Sequence, residues 1–371
     1  MKILGIVTLV SPLGEYGGPV RVAVNQLREL ASRGHDVMLV GSHRGYDGEP
    51  PTQIEGVPAR LFPARTVLPG AGFAGLTSPG LLRGLRRNVS SFDVVHVHAA
   101  RDLVTLPAAR IAQRAGVRTV LQTHGMIDES DNPLAVPVDA ALTRKALRDA
   151  AAVTYLTPEE RSSLETVSRG AAKLVHVTNG VPGATDAITE TSGNEVLYLA
   201  RLAPRKNASL FAEVAADLVG EFPDARFRLV GPDEGSGAEV TRIIEAAGPG
   251  DRVRWEGALA PEQTLQRMRS ASVYVLPSVN EPYPMSVLEA MSVGLPVVVT
   301  NSCGLAGFVA ENSAGAVVDA THDAVRQAIS ALLSDPDAAR AAGERGRVAV
   351  QKTKSMAAVA DQLEELYSPR A

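Results

Sequence analysis

Short apolar runs rich in β-branched residues recur along almost the whole chain, each followed by a longer segment whose apolar residues return every three or four positions. A run buried on both faces suits a parallel strand and a one-sided stripe suits a covering helix, so the alternation predicts α/β layering around parallel sheets. In the first half, strands are expected at residues 2–10, 37–41, 94–98, 119–124, 152–156 and 174–178; in the second half, at 195–200, 226–231, 252–257, 273–277 and 296–300. Between the first two runs, Val20, Val24, Leu27 and Leu30 mark a helix that Gly34 closes with a left-handed cap. The final helices are expected around 320–333, 337–350 and 355–367, with Val359, Leu363 and Leu366 as the packing face of the last.

A length of 371 residues fits about two domains of ~150 residues. The polar stretch 184–194, after "NGVPG", reads as the linker. Two doubly wound domains facing a cleft follow, with expected bounds 1–185 and 186–352 and a closing segment 353–371. Residues 43–92, rich in Gly, Pro and Arg, read as a long irregular segment of the kind that often carries function.

Thirty-seven basic residues against 41 acidic give a formal charge of −4, so no global basic field draws the chain to nucleic acid. Cys303 is the only cysteine, which excludes an internal disulfide and a CxxC site; it reads as a packing residue. No run approaches the ~18 apolar residues of a membrane span. The start, "MKILGIVTLVSPLG", reads as a first strand rather than a signal peptide, and cytoplasmic residence is the default expectation.

No GxxxxGK[ST], GxGxxG after the first strand, HExxH or GxSxG is present, so the usual warrants for P-loop, dinucleotide, zincin and hydrolase chemistry are missing. Asp335 and Asp337 form a DxD string, but Ser334 or Asp335 stands where a helix cap is wanted. His96 and His98 share one strand face without an evident third metal ligand and read as packed or hydrogen-bonded histidines; no metal is expected.

The stretch "EPYPMSVLEAMSVGLPVVVT" (281–300) carries more. Pro284 suits a first helical position, so the helix would aim the free N–H groups of Met285 and Ser286 beyond the carboxyl end of a strand, an anion site. Glu281 before it and Glu289 within it are suited to paired hydroxyls, and hydroxyls at two places with phosphate between them describe a nucleotide sugar. "RLAPRK" places Arg201 at a strand end and Lys206 in the following loop, a guanidinium fork and a point charge for a diphosphate. Gly17 and Gly18 open the first helix where a ligand can approach the backbone, and His124 ends a strand in "QTHGM". "TPEE" predicts a helix that Thr157 caps and Glu160 closes in a capping box.

Together these motifs resemble the GT-B fold glycosyltransferases of group 1, often called family 4, with the E-x7-E element, the Arg-x4-Lys pair, "EYGG" and "QTHGM" in the family's order over residues 14–300. The resemblance implies a retaining, metal-independent transferase with a nucleotide-diphosphate sugar as co-substrate and no other cofactor. It implies that Glu281 holds donor-sugar hydroxyls near the anomeric carbon, Glu289 binds the ribose, and Arg201 and Lys206 stabilise the leaving diphosphate with Met285, Ser286 and Gly18. It implies that His124 touches the donor sugar or its phosphate, and that the final helix crosses back to the first domain.

Two departures stand out: Pro282 and Pro284 replace the family's glycines, and "NSCGLAGFV" (301–309) lacks its Gly-Gly-x-x-Glu. The implied acceptor is a glycan or lipid-linked sugar in cell-surface polysaccharide assembly, supported by the basic pair Arg144 and Lys145; a small-molecule or natural-product acceptor is the alternative. Arg83, Arg86 and Arg87 offer a weak peripheral membrane contact, although a solvated helix face is the simpler reading. A nucleotide-sugar 2-epimerase on the same fold would need acid and base residues at C2, and a non-catalytic scaffold would have lost the four charged residues.

Overall fold

The computed structural model describes residues 1–12, 17–130, 135–182, 194–248, 251–260 and 263–368. The chain forms two compact units, Met1–Gly180 with Met356–Ala371, and Val181–Ser355. The expected linker 184–194 lies outside the described residues except for Asn194.

In the first unit the strands are β1 (Lys2–Val10), β2 (Asp36–His43), β3 (Gln53–Ile54), β4 (Val57–Pro63), β5 (Arg65–Thr66), β6 (Leu76–Thr77), β7 (Val94–His98), β8 (Arg118–Gln122), β9 (Ala152–Tyr155) and β10 (Leu174–His176). Eight of them form one sheet in the order β10-β9-β8-β7-β1-β2-β4-β3, parallel except for the β3/β4 pair. The β5/β6 pair stands apart as a short antiparallel ribbon. β1 and β7 are buried nearly throughout because helices cover both faces of the sheet centre.

The second unit has β11 (Asn194–Leu199), β12 (Ala225–Val230), β13 (Val253–Trp255), β14 (Val273–Leu276), β15 (Val297–Thr300) and β16 (Gly315–Val318), in the parallel order β13-β12-β11-β14-β15-β16. In each sheet the chain winds outward on one side and then crosses to the other. The reversal falls between β1 and β7 in the first unit and between β11 and β14 in the second. Loops that leave neighbouring strands in opposite directions open a crevice at the carboxyl edge, which is where open α/β sheets bind ligands.

Residues 43–92 depart from the expected irregular segment. They contain β3 to β6 and the helix Pro79–Asn88, and β4 pairs in parallel register with β2 from Leu39↔Ala59 to His43↔Pro63. Leu81 and Leu85 of that helix are buried while Arg83, Arg86 and Arg87 are exposed, the solvated face. The last helix, Met356–Tyr367, belongs to the first unit, where Val359, Leu363 and Leu366 pack with Val24, Leu27 and Leu30 of the helix Gly17–Ser32. Asp335 caps the helix Pro336–Thr353 by accepting from the Ala338 amide, so the DxD string is structural. No helix among the described residues is long and apolar enough to cross a membrane.

Candidate active site

At the second unit's switch point, the β11 exit carries Arg201, Arg205 and Lys206, and the β14 exit carries Glu281 ahead of the helix Met285–Ser292. Lys206 Nζ lies 2.7 Å from Glu281 Oε2, with side chains only 12% and 9% exposed. Arg205 Nη2 approaches the same oxygen at 3.5 Å and is half exposed. The two loops are tied directly, the Val279 amide donating to the Arg205 carbonyl at 2.9 Å. Asn280 takes up φ 51°, a left-handed conformation asparagine tolerates better than most residues, and this turns the chain back towards the helix.

Two buried tyrosines brace this edge from beneath. Tyr198 of β11 donates to the Arg201 carbonyl at 3.1 Å; Tyr274 of β14 donates to the Leu199 carbonyl at 3.0 Å and lies 2.8 Å from Ser286 Oγ. Burial holds both phenols well above their usual pKa, and nearby Glu281 adds to the effect on each, so they stay protonated donors. Neither tyrosine was singled out from sequence, because a strand tyrosine reads as ordinary core until its hydroxyl's partner is known.

Pro284 caps the helix rather than starting it: it has extended backbone, φ −75° and ψ 107°, and Met285 is the first helical residue. Having no N–H, the proline sets the entry angle without adding a donor. The first amides, those of Met285 and Ser286, therefore lack acceptors within the helix, and the positive end of its dipole falls at the β14 exit. Glu289 is buried on the same helix.

Arg201 is more committed than expected, with Nη1 2.8 Å from both oxygens of Glu234 in a pair that is about half exposed. Such a surface pair is weak enough to be exchanged for an anionic ligand. Arg205 went unnoticed in sequence beside Lys206; its proximity to Glu281 depends on the short 3-10 turn Pro204–Lys206. Cys303 is buried, and burial pushes its thiol up to about 11, in keeping with packing.

The first unit's carboxyl edge holds Gly17 and Gly18 at the start of their helix; Glu15 and Tyr16 of "EYGG" lie outside the described residues. A Cβ placed on Gly18 would meet nothing within 4 Å, so packing does not demand glycine there. His124 lies just past β8, not at its end, in a left-handed conformation with φ 53°, followed by Gly125 at φ 71°. Glu160 holds that turn: Oε1 accepts from Thr123 Oγ1 and the Gly125 amide, each at 2.6 Å, and Oε2 from the Leu156 amide at 2.7 Å. The capping box is thus incomplete. Thr157 accepts from the Glu160 amide, whereas the Glu160 carboxylate serves Leu156 and the histidine turn instead of the Thr157 amide.

His98 Nδ1 lies 2.8 Å from His124 Nε2, and His96 Nδ1 lies 2.5 Å from the Tyr367 hydroxyl. Burial lowers all three imidazoles, His96 to about 4 and His124 to about 3, so His124 is neutral near pH 7 and can hydrogen-bond a ligand but not neutralise it. Among the described residues no group of three or more His, Cys, Asp or Glu side chains is placed to hold a metal ion.

The family model described as glycosyl transferases group 1 matches residues 186–349, and that of the glycosyl transferase 4-like domain matches residues 17–180. The chain is 28% identical to the D-inositol 3-phosphate glycosyltransferase of Corynebacterium efficiens, over 80% of this chain and 75% of the relative. It is also 28% identical to the GDP-mannose-dependent alpha-(1-6)-phosphatidylinositol monomannoside mannosyltransferase of Mycolicibacterium smegmatis, over 73% of this chain and 76% of the relative. Among solved structures, Anabaena HepE in complex with UDP superposes with a TM-score of 0.75 at 17% identity, covering 98% of this chain and 99% of that one.

Proposed function

The chain belongs to the group 1, family 4 type glycosyltransferases of the GT-B fold, and from that premise we propose that it moves a sugar, with retention, from a nucleotide diphosphate to a hydroxyl of its acceptor. The observation that carries the reading is the nearly buried Lys206–Glu281 pair at the switch point, beside the amino end of the helix Met285–Ser292. Glu281 accepts hydrogen bonds from the donor sugar's hydroxyls, and Glu289, further along the helix, serves the ribose. Lys206, Arg201 and Arg205 face the diphosphate together with the amides of Met285 and Ser286.

In the reaction the bond from the anomeric carbon to the phosphate oxygen breaks, and the acceptor oxygen attacks from the same face. The acceptor proton passes to the departing phosphate oxygen, so no protein base is required. The cations and helix dipole stabilise charge as it develops on the leaving group, which is electrostatic catalysis. His124, being neutral, hydrogen-bonds the sugar or the acceptor, and the open space at Gly18 admits close approach of a ligand to the helix backbone. No metal or further cofactor is part of this proposal.

The acceptor we propose is a glycan or lipid-linked sugar of cell-surface polysaccharide assembly, with the protein in the cytoplasm or at the inner membrane face. A small hydroxylated acceptor is the second reading, favoured by likeness to an enzyme named for D-inositol 3-phosphate. Thermal shift against UDP-, GDP- and TDP-sugars tests the donor: stabilisation that Glu281→Ala and Lys206→Ala weaken is expected, and none with any nucleotide sinks the reading. Nucleotide release stimulated by inositol phosphate rather than by a lipid extract selects the small acceptor.

A further inference from the structure

We propose that Tyr367, His96 and His98 form a buried ladder that fixes the ring plane and tautomer of His124, which makes Tyr367, in the last helix, a positioning residue for the first unit's carboxyl edge. The inference rests on the proposed role of His124 at the sugar or acceptor. It starts from a pair of histidines that the proposed chemistry otherwise leaves unused.

His96 and His98 lie two apart on β7, so their side chains leave the same face of the sheet. Their rings stack with centroids 4.8 Å apart and planes 10° apart; His98 and His124 lie nearly coplanar, planes 14° apart and centroids 5.1 Å apart, joined edge to edge through Nδ1 and Nε2. At the far end, Tyr367 meets His96 edge-on at 5.8 Å and 79°, with its hydroxyl on Nδ1. His96, His98 and Tyr367 are each 2% exposed. Three imidazoles and a phenol in sequence from one helix to a strained turn leave little freedom for the last ring.

The proton count gives the ladder its chemical meaning. The Tyr367 hydroxyl can donate to His96 Nδ1, which places that neutral ring's proton on Nε2, or accept from it, which places the proton on Nδ1; either way one bond ties the ring to the last helix. Between His98 Nδ1 and His124 Nε2 there is room for one proton. If it sits on His98, His124 carries its own on Nδ1 and presents a donor; if it sits on His124, Nδ1 presents an acceptor. His98 therefore sets what His124 offers a ligand, while the stacked His96, anchored by Tyr367, holds the plane of His98. The Glu160 contacts fix the backbone of the same turn, so ring and backbone are held by separate groups.

The test is nitrogen-15 NMR of the histidines in the full chain near pH 7, joined to turnover of GDP-mannose and UDP-glucose read as nucleotide release. The wild type should show His124 as one neutral tautomer. Tyr367→Phe, a change of one oxygen, and His98→Leu should shift its nitrogen resonances; His98→Asn, whose amide stands in for Nδ1, should restore them. With whichever donor turns over, Tyr367→Phe should lower kcat about fivefold at unchanged donor KM, the rate equivalent of one hydrogen bond. In a His124→Ala background Tyr367→Phe should have no further effect. Unaltered His124 resonances in Tyr367→Phe and His98→Leu would overturn the ladder, as would a kcat loss from Tyr367→Phe that persists without His124. A His124→Ala enzyme of undiminished kcat would instead overturn the functional reading of His124, and the NMR result would still decide the ladder.

Discussion

Lys206 and Glu281 are each nearly buried, and each needs the other there: a charge withdrawn from water without its partner is far less stable than the pair. Lys206→Met leaves Glu281, among the described residues, with Arg205 at 3.5 Å as its cationic partner and should lower unfolding free energy by roughly 3–5 kcal/mol. Adding Glu281→Gln to that variant should recover part of the loss, so a double-mutant cycle in urea should show coupling. A cycle that sums to zero would mean the pair is incidental. The acids and cations of this edge were legible in sequence because carboxylates and bases at strand ends and before a helix have few structural duties. Arg205 and Tyr274 were not, nor was the duty of Glu160 beyond its capping box: each acts through a partner that only the fold brings near, such as Thr123, 37 residues from Glu160. Tyr198, whose hydroxyl meets the Arg201 carbonyl, reads in sequence as ordinary core.

Elements were most readable where both faces are buried. β1 and β7 fall at the expected residues because runs dominated by β-branched and apolar residues are buried at the sheet centre, where β7 also buries His96 and His98. β4 escaped notice because Pro58, Arg60 and Pro63 interrupt its pattern, and it pairs beyond β2 with only the two residues of β3, leaving much of it open to solvent. β16 is four half-buried residues at a sheet edge, too short to declare a period. Beneath the candidate site, Tyr274→Phe should cost about 1–3 kcal/mol by stranding the Leu199 carbonyl, and loosen Ser286. Urea midpoints measure it; a loss under a few tenths of a kcal/mol would show that the brace does not matter. β7 brings a pH dependence. Unfolded imidazoles protonate near 6.5, while folding holds His96 near 4 and His124 near 3. Above pH 6.5 neither state binds these protons and stability is intact. As pH falls, the unfolded state takes up protons the folded state refuses, so stability drops by up to ~1.4 kcal/mol per pH unit for each histidine, until the folded values are reached. Urea unfolding between pH 7.5 and 5 should show that slope, and His96→Gln should make it shallower.

At the scale of the whole molecule, the chain leaves its first unit at Gly180 and returns to it at Met356. The final helix is therefore part of the first unit's core although the whole second unit intervenes in sequence. Its apolar spacing was visible at residues 356–367, but spacing names a buried face without naming what covers it; the destination came only through resemblance. In the structure Leu363 is fully buried among first-unit side chains, and Arg33 fastens the helix at its rim, bonding Asp361 at 2.6 Å, Glu364 at 3.0 Å and the Ala357 carbonyl at 2.7 Å. Leu363→Ala should create a cavity in that core and destabilise it by about 2–5 kcal/mol. Trp255, the chain's single tryptophan, lies on β13 of the second unit, so its fluorescence follows that unit while circular dichroism follows both. Because the partners of Leu363 lie in the first unit, the substitution should split one urea transition into two, the dichroism midpoint falling while the tryptophan midpoint stays. If both midpoints fell together, the two units would unfold as one, and the final helix would have to be counted in the stability of both.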